Sequence, residues 1–206
     1  RDDVDSVVKR LRAMRISEEE FYRVREQKPR SRAAQAARTI YLNKTGYNGL
    51  YRVNRSGQFN VPFGRHENPK ICDEPNLRAV AAVLSNVELA VEDFDQSCRR
   101  AKPGDAVYLD PPYLPLSPTA YFTSYDRHPF GLPEHERLAN VFEQLARRNV
   151  AAVLSNSCTP DSKRLYQAHD IEYPLVARAI NSDSKKRGKI KEILVSNAPA
   201  AAQRRS

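Results

Sequence analysis

The sequence predicts an α/β fold: a largely parallel sheet covered on both faces, accompanied by a small helical and β-hairpin subdomain. Three observations carry this. From residue 71 onward, helix-periodic stretches alternate with short runs of β-branched residues. Ahead of them come three helix-periodic stretches and then one, 50–61, that alternates about a Gly turn. At 206 residues the chain has room for one core with an appendage of this kind. The expected division is 1–70 for the helical and hairpin subdomain, 71–197 for the α/β core and 198–206 for a flexible tail.

Val4, Val7, Val8, Leu11 and Met14 recur at helical spacing and predict a helix over 4–15. Ser17 and Glu20 form a capping-box start to a second helix over 17–27, and Ser31 opens a third over 31–43. Residues 50–54 and 58–61 alternate on either side of Arg55, Ser56 and Gly57, which predicts a hairpin ended by Pro62, Phe63 and Gly64. Helix 75–85 should precede strand 87–92, and helix 95–101 the apolar strand 106–109. Helix 134–148 leads to strand 150–155, a short helix near 161–168 to strand 171–176, and a last strand occupies 190–196. The loop 114–131, with Pro115, Pro118 and Pro129, is long enough to be functional, and it is expected to close over the substrate.

Charge narrows the partners. There are 34 Lys and Arg against 25 Asp and Glu, a net charge of +9, and the surplus flanks a mildly acidic middle. Segment 40–70 is the most basic part: Lys44, Arg52, Arg55, Arg65 and Lys70 stand against Glu67 alone, among Tyr41, Tyr47, Tyr51, Phe59 and Phe63. Basic groups between aromatics suit a phosphate backbone whose bases can be stacked on or wedged apart. No run approaches the roughly 20 apolar residues of a membrane helix. Cys72, Cys98 and Cys158 are too scattered for a disulfide framework or a metal site, so a cytoplasmic setting is expected. His66, His128, His135 and His169 lack ligand spacing, and no metal is expected. Ser155, Ser157 and Cys158 show no nucleophile pattern and read as a post-strand turn.

The chemistry concentrates at residues 106–113. An apolar strand delivers Asp110, Pro111, Pro112 and Tyr113 to its carboxyl end, where open α/β sheets bind ligands. The two prolines fix two φ angles and supply no N–H. The first of them also keeps Asp110 extended. A rigid pair of acceptors, the Asp110 carboxylate and the Pro111 carbonyl, then stands beside the flat face of Tyr113. That arrangement suits a planar ring bearing an exocyclic amine. The acceptors would stabilise charge developing on the nitrogen as it attacks an electrophile, and stacking would fix its approach.

With these residues in view, the sequence resembles the Dam-type DNA adenine methyltransferases. The resemblance runs from about Glu18 to Asn197. It rests on Tyr41-Leu-Asn-Lys-Thr-Gly-Tyr-Asn-Gly-Leu-Tyr-Arg-Val-Asn54, Gly57-Gln-Phe-Asn-Val-Pro-Phe-Gly-Arg65, Asp110-Pro-Pro-Tyr113, Leu154-Ser-Asn156 and Ile180-Asn-Ser182, followed by Arg187-Gly188 and Glu192-Ile-Leu194. It implies a Rossmann-like methyltransferase sheet and transfer of a methyl group from S-adenosylmethionine to N6 of a flipped adenine in duplex DNA, at GATC. Asp110, Pro111, Pro112 and Tyr113 would be the catalytic loop. Asp93, Phe94 and Asp110 would face the methyl donor. In the hairpin, Tyr47 would wedge into the base stack, Asn48 would meet the orphaned base and Arg52 would read a guanine. Leu50 and Pro62 would touch thymine methyls, and Lys44, Asn54, Asn60 and Arg65 would lie on the DNA, the last three at phosphates. A nucleoid-associated location follows from the same resemblance.

One family feature is missing. None of the seven glycines forms the Gly-x-Gly turn that floors the donor pocket, and Asp2, Asp3 and Asp5 read as a helix start. The sheet is therefore expected to be incomplete on its N-terminal side, with the rest supplied by an upstream segment or a complementing chain. A non-catalytic DNA-binding fragment and an RNA adenine methyltransferase are the competing functions. The oligomeric state is left open, as is the biological role of the methylation, restriction protection among the possibilities.

Overall fold

The computed structural model describes residues 1–54, 56–116, 130–177 and 189–197. They form two compact units, residues 1–90 and the described residues from 91 onward.

The first unit packs helices against a hairpin. Helices α1 (Val4–Ala13), α2 (Glu18–Glu26) and α3 (Arg32–Thr45) begin at Asp3, Ser17 and Ser31, whose side chains accept from Ser6 N, Glu20 N and Ala34 N. The box expected at Ser17 is half formed. Its hydroxyl caps Glu20 N at 3.1 Å, while the Glu20 carboxylate turns to Arg23 at 2.5 and 2.6 Å. Leu11, Phe21, Val24, Ala37, Tyr41 and Leu42 are buried together with Phe59, Val61 and Ile71. Helix α4 (Glu74–Leu84) packs on α1, so this unit runs past residue 70 to residue 90.

The hairpin over 50–61 pairs as expected in direction, but its ladder is short. Val53 bridges Phe59 and Gly46 bridges Phe63, both antiparallel, and no continuous strand forms. Alternation sends Phe59 and Val61 into the helical core while Tyr51 stays outside, edge-on to Phe59 at 5.7 Å. The chain enters through Tyr47–Gly49, a 3-10 turn in which Asn48 and Gly49 adopt positive φ of 53° and 62°.

The second unit is a mixed sheet, which corrects the expectation of a largely parallel one. The order is β1 (Ala106–Leu109), β2 (Ala151–Ser157), β5 (Lys189–Ser196), β3 (Asp170–Glu172), with β4 (Leu175–Ala177) also on β5. Among the described strands only β1 and β2 run parallel; β5 is antiparallel to β2, β3 and β4. The strand expected over 171–176 is two short ones. Pro174 interrupts it because it offers no N–H, yet its carbonyl still accepts from Glu192 N at 3.0 Å.

Helices α5 (Phe94–Arg100), α6 (Leu132–Arg147) and α7 (Pro160–Leu165) complete the unit. Leu138, Val141, Phe142 and Leu145 of α6 pack with Leu109, Leu154, Ile193 and Val195 of the sheet. On the other face Ala106, Tyr108 and Ala151 are exposed while Ser155 and Ser157 are buried, so among the described residues that face is covered only in part. The expected strand 87–92 does not form. Val87, Leu89 and Val91 alternate as a strand would, but all three are exposed and no described strand pairs with them. A β pattern without a neighbour to accept its hydrogen bonds stays irregular. Phe94 starts a helix capped by Asp93, whose side chain accepts from Asp95 N. The larger part of the loop 114–131, the Ile180-Asn-Ser182 and Arg187-Gly188 matches, and the tail 198–206 lie outside the described residues.

Candidate active site and nucleic-acid interface

Parallel pairing sets the register of the catalytic candidates. Leu109 lies opposite Leu154, so the next residues along, Asp110 just past the end of β1 and Ser155 within β2, stand side by side. The Ser155 hydroxyl donates to Asp110 Oδ1 at 3.0 Å and accepts from the Tyr108 hydroxyl at 3.0 Å. One carboxylate oxygen is thereby held, and Oδ2 has no partner among the described residues. Asp110 itself is exposed.

The loop after Asp110 is clamped from β2. Asn156, fully buried, accepts at Oδ1 from Leu114 N at 3.0 Å and from Ser157 N at 2.8 Å. Its amide nitrogen lies 3.4 Å from His135 Nδ1, a long contact. His135 is buried on α6 against the edge of Phe130, and burial pushes its imidazole pKa down, partly opposed by the Pro112 backbone. Tyr113 is about one third exposed and donates to Glu192 Oε2 at 3.4 Å. Burial raises its phenol pKa, and the nearby Glu192 and Asp110 carboxylates add to the rise.

Ser155, His135 and Glu192 carry no assigned role in the sequence, although Ser155 and Glu192 fall within stretches that carry the resemblance. Ser155 read as a post-strand turn, whereas it lies within β2 with its hydroxyl between Tyr108 and Asp110. The stretch Leu154-Ser-Asn156 marks it only through the family resemblance; its partners could not be read along the chain, because both come from β1 and its end.

Asp93 and Phe94 are drawn into a different cluster. Arg137 donates to both oxygens of Asp93 at 2.9 and 2.7 Å and to Glu134, and its guanidinium lies 4.0 Å from the centre of the Phe94 ring. With Asp95 N as a further donor, the Asp93 carboxyl is held down at about 2. Among the described residues the Asp93 carboxylate is thus paired with Arg137 at both oxygens, whereas Asp110 has a partner at Oδ1 alone. Among the described residues no group of His, Cys, Asp and Glu could hold a metal ion.

The hairpin candidates all lie in the first unit. Tyr47, Asn48, Arg52, Pro62 and Lys44 are exposed, and Leu50 is half-buried. Arg65, at positive φ of 50°, is exposed and 3.8 Å from Glu18. Asn54 is committed to the turn: Oδ1 accepts from Ser56 N and Gln58 N, each at 3.0 Å, and Nδ2 donates to Gln58 Oε1. Arg52 donates to Asn60 from both Nε and Nη2. An open cleft of about 570 Å³ adjoins them, lined in part by Arg25, Lys28, Tyr51, Asn54 and Asn60.

Fold and site together define an α/β protein with an acidic Pro-Pro-Tyr loop at the carboxyl end of a parallel strand pair. Residues 1–180 match the family model of the D12 class N6 adenine-specific DNA methyltransferases, and the chain belongs to that family. It is 41% identical over 169 residues to the type II methyltransferase M1.LlaDCHI of Lactococcus lactis subsp. cremoris, covering 81% of this chain and 60% of that protein. Identity to the type II methyltransferase M.MjaIII of Methanocaldococcus jannaschii is 38% over 214 residues, covering 96% and 74%. For the DNA adenine methylase of Escherichia coli it is 37% over 183 residues, covering 88% and 66%. The matched stretches thus span about 60 to 74% of the length of these relatives. No helix among the described residues is long and apolar enough to cross a membrane.

Proposed function

We propose that the chain carries the target-base pocket and the DNA reader of a site-specific DNA adenine methyltransferase. Its substrate is N6 of an adenine flipped out of duplex DNA, within GATC, and its methyl donor is S-adenosylmethionine. The observation that carries this is the Asp110 carboxylate, held by Ser155 at one oxygen, with no partner at the other among the described residues, and near Tyr113.

Asp93, Phe94 and Asp110 are the residues of this chain that would face the donor; when bound, S-adenosylmethionine would supply a methyl group on a sulfonium, which leaves as a neutral thioether. The adenine amine is a poor nucleophile, since its lone pair is delocalised into the ring. Asp110 Oδ2 accepts one of its hydrogens and the Pro111 carbonyl the other, which favours a tetrahedral nitrogen and stabilises its developing positive charge. Tyr113 stacks on the ring and fixes the line of attack. Asn156, by clamping Leu114 N, keeps the two acceptors rigid. The proton lost from N6 passes to the carboxylate or to water after transfer. The hairpin reads sequence from the major groove, and Lys44 and Arg65 lie on the phosphates.

Transfer of a tritiated methyl group to duplexes with and without GATC tests this reading. Asp110→Ala should abolish transfer while duplex affinity persists, and Ser155→Ala should lower kcat roughly tenfold with KM for DNA unchanged. Normal turnover in Asp110→Ala would remove the catalytic assignment. Binding without transfer in the unmodified chain would make it a DNA-reading fragment, and transfer to structured RNA in preference to duplex DNA would make RNA its substrate.

A further inference from the structure

We infer that Asn60 is a positioning residue for the base-reading arginine: its side-chain oxygen and its own backbone carbonyl together occupy one edge of the Arg52 guanidinium and aim the opposite end outward. The inference rests on the proposed role of Arg52 and deepens it.

The two residues face each other one step from the Val53 and Phe59 bridge. Asn60 N donates to Arg52 O at 3.0 Å, which fixes the two backbones. Arg52 Nε then donates to Asn60 Oδ1 at 2.9 Å, and Nη2 to Asn60 O at 3.3 Å. Nε–H and the inner Nη2–H are parallel and form one side of the planar fork. The outer Nη2–H and the adjoining Nη1–H form its end. Among the described residues this end meets no partner, and the side chain is exposed. Two parallel donors on a fixed plane match O6 and N7 on the major-groove edge of guanine. An arginine on an exposed hairpin would otherwise lose rotamer freedom on binding. Asn60 removes part of that loss before DNA arrives, and it does so only for the orientation that presents the end of the fork.

This differs from the phosphate contact that the family resemblance implies for Asn60, and the two roles separate by experiment. A phosphate contact weakens binding to every duplex alike, whereas a positioning residue changes the preference at one base pair. Binding of the full chain is measured by fluorescence anisotropy on a labelled GATC duplex and on duplexes with each of the four base pairs replaced in turn. Arg52→Ala identifies the base pair that it reads, where discrimination should fall roughly ten- to hundredfold. Asn60→Ala should lower discrimination at that same base pair by roughly three- to tenfold and leave the other three unchanged. In the Arg52→Ala background it should have no further effect there. Asn60→Asp keeps the acceptor and should keep the ratio, even as its charge weakens all duplexes equally. If Asn60→Ala scales every affinity by one factor, or alters a different base pair, the positioning role is overturned. Lost discrimination in Asn60→Asp overturns it as well, including where Asn60→Ala fails to fold. If the unmodified chain binds all duplexes alike, or Arg52→Ala changes no position, the base-reading assignment falls and the inference with it.

Discussion

Two buried side chains show how single groups set stability in the second unit. His135 sits against Asn156 and the Pro112 backbone with its imidazole pKa lowered by burial, so the folded state resists a proton that the unfolded chain accepts. The contribution is whole above the ordinary imidazole value of about 6.5 and declines as pH falls below it. Melting temperature should therefore drop between about pH 7.5 and pH 5.5, and His135→Gln, less stable at the upper pH, should lose less over the same interval. An equal loss in variant and parent would dissociate the effect from His135. Tyr166 illustrates the opposite case. Its ring is buried edge-on to Phe142 at 5.6 Å, but its hydroxyl has no hydrogen-bond partner among the described residues. An unpaired buried hydroxyl costs about 1–3 kcal/mol. Tyr166→Phe should stabilise the chain, raising the melting temperature by roughly 2–4 °C per kcal/mol recovered; a calorimetric decrease would mean that the hydroxyl is paired in solution.

At the scale of the element, the junction between α3 and the hairpin is a tight joint in the first unit. Gly46 caps α3, its N–H reaching Leu42 O at 2.8 Å, and its bridge to Phe63 starts the hairpin. A Cβ there would lie 2.6 Å from the Leu42 carbonyl oxygen, a backbone atom that cannot swing aside. Gly46→Ala should cost about 1–3 kcal/mol, read as a lowered urea midpoint of the first unit. The same variant should blunt DNA discrimination, because Arg52 and Asn60 keep their facing positions only while the hairpin is seated. Strand formation followed a comparable rule. Residues 87–92 carry a β pattern but no described partner strand, and they remain irregular. Residues 170–177 carry a proline in mid-run and still pair on both sides of it, because β5 is already in place as a neighbour. Alternation along a chain reports a capacity to pair, and the neighbour decides whether pairing happens.

The whole molecule is a cation of charge +9, with basic groups gathered on the hairpin segment. Duplex binding should weaken steeply with salt, the slope of log affinity against log salt reaching about −0.9 for each phosphate contacted. Lys44 and Arg65 are both exposed; Arg65 lies 3.8 Å from Glu18, and the Lys44 charge acts on the Asp73 carboxylate. Removing both in a Lys44→Ala, Arg65→Ala pair should reduce the slope by about 2, uniformly across sequences. An unchanged slope would place the phosphates elsewhere on the surface.

What the sequence alone determined was local. The helix starts at Ser17 and Ser31, the turn at Gly57, the apolar faces of the helices and the rigid acceptor pair at Asp110 and Pro111 all follow from φ preferences, capping and periodicity, which act between near neighbours in the chain. Tertiary structure decided the partners. Ser155 reaches Asp110 across 45 residues, Asn156 reaches Leu114 across 42 and Arg137 claims Asp93 across 44. Each depends on which strand or helix lies alongside and in what register, and a one-residue slip of β2 against β1 would exchange the faces and point Ser155 away from the carboxylate. The mixed sheet and the failure of 87–92 to pair have the same origin: hydrogen bonds between strands belong to the pair, and neither strand specifies them alone.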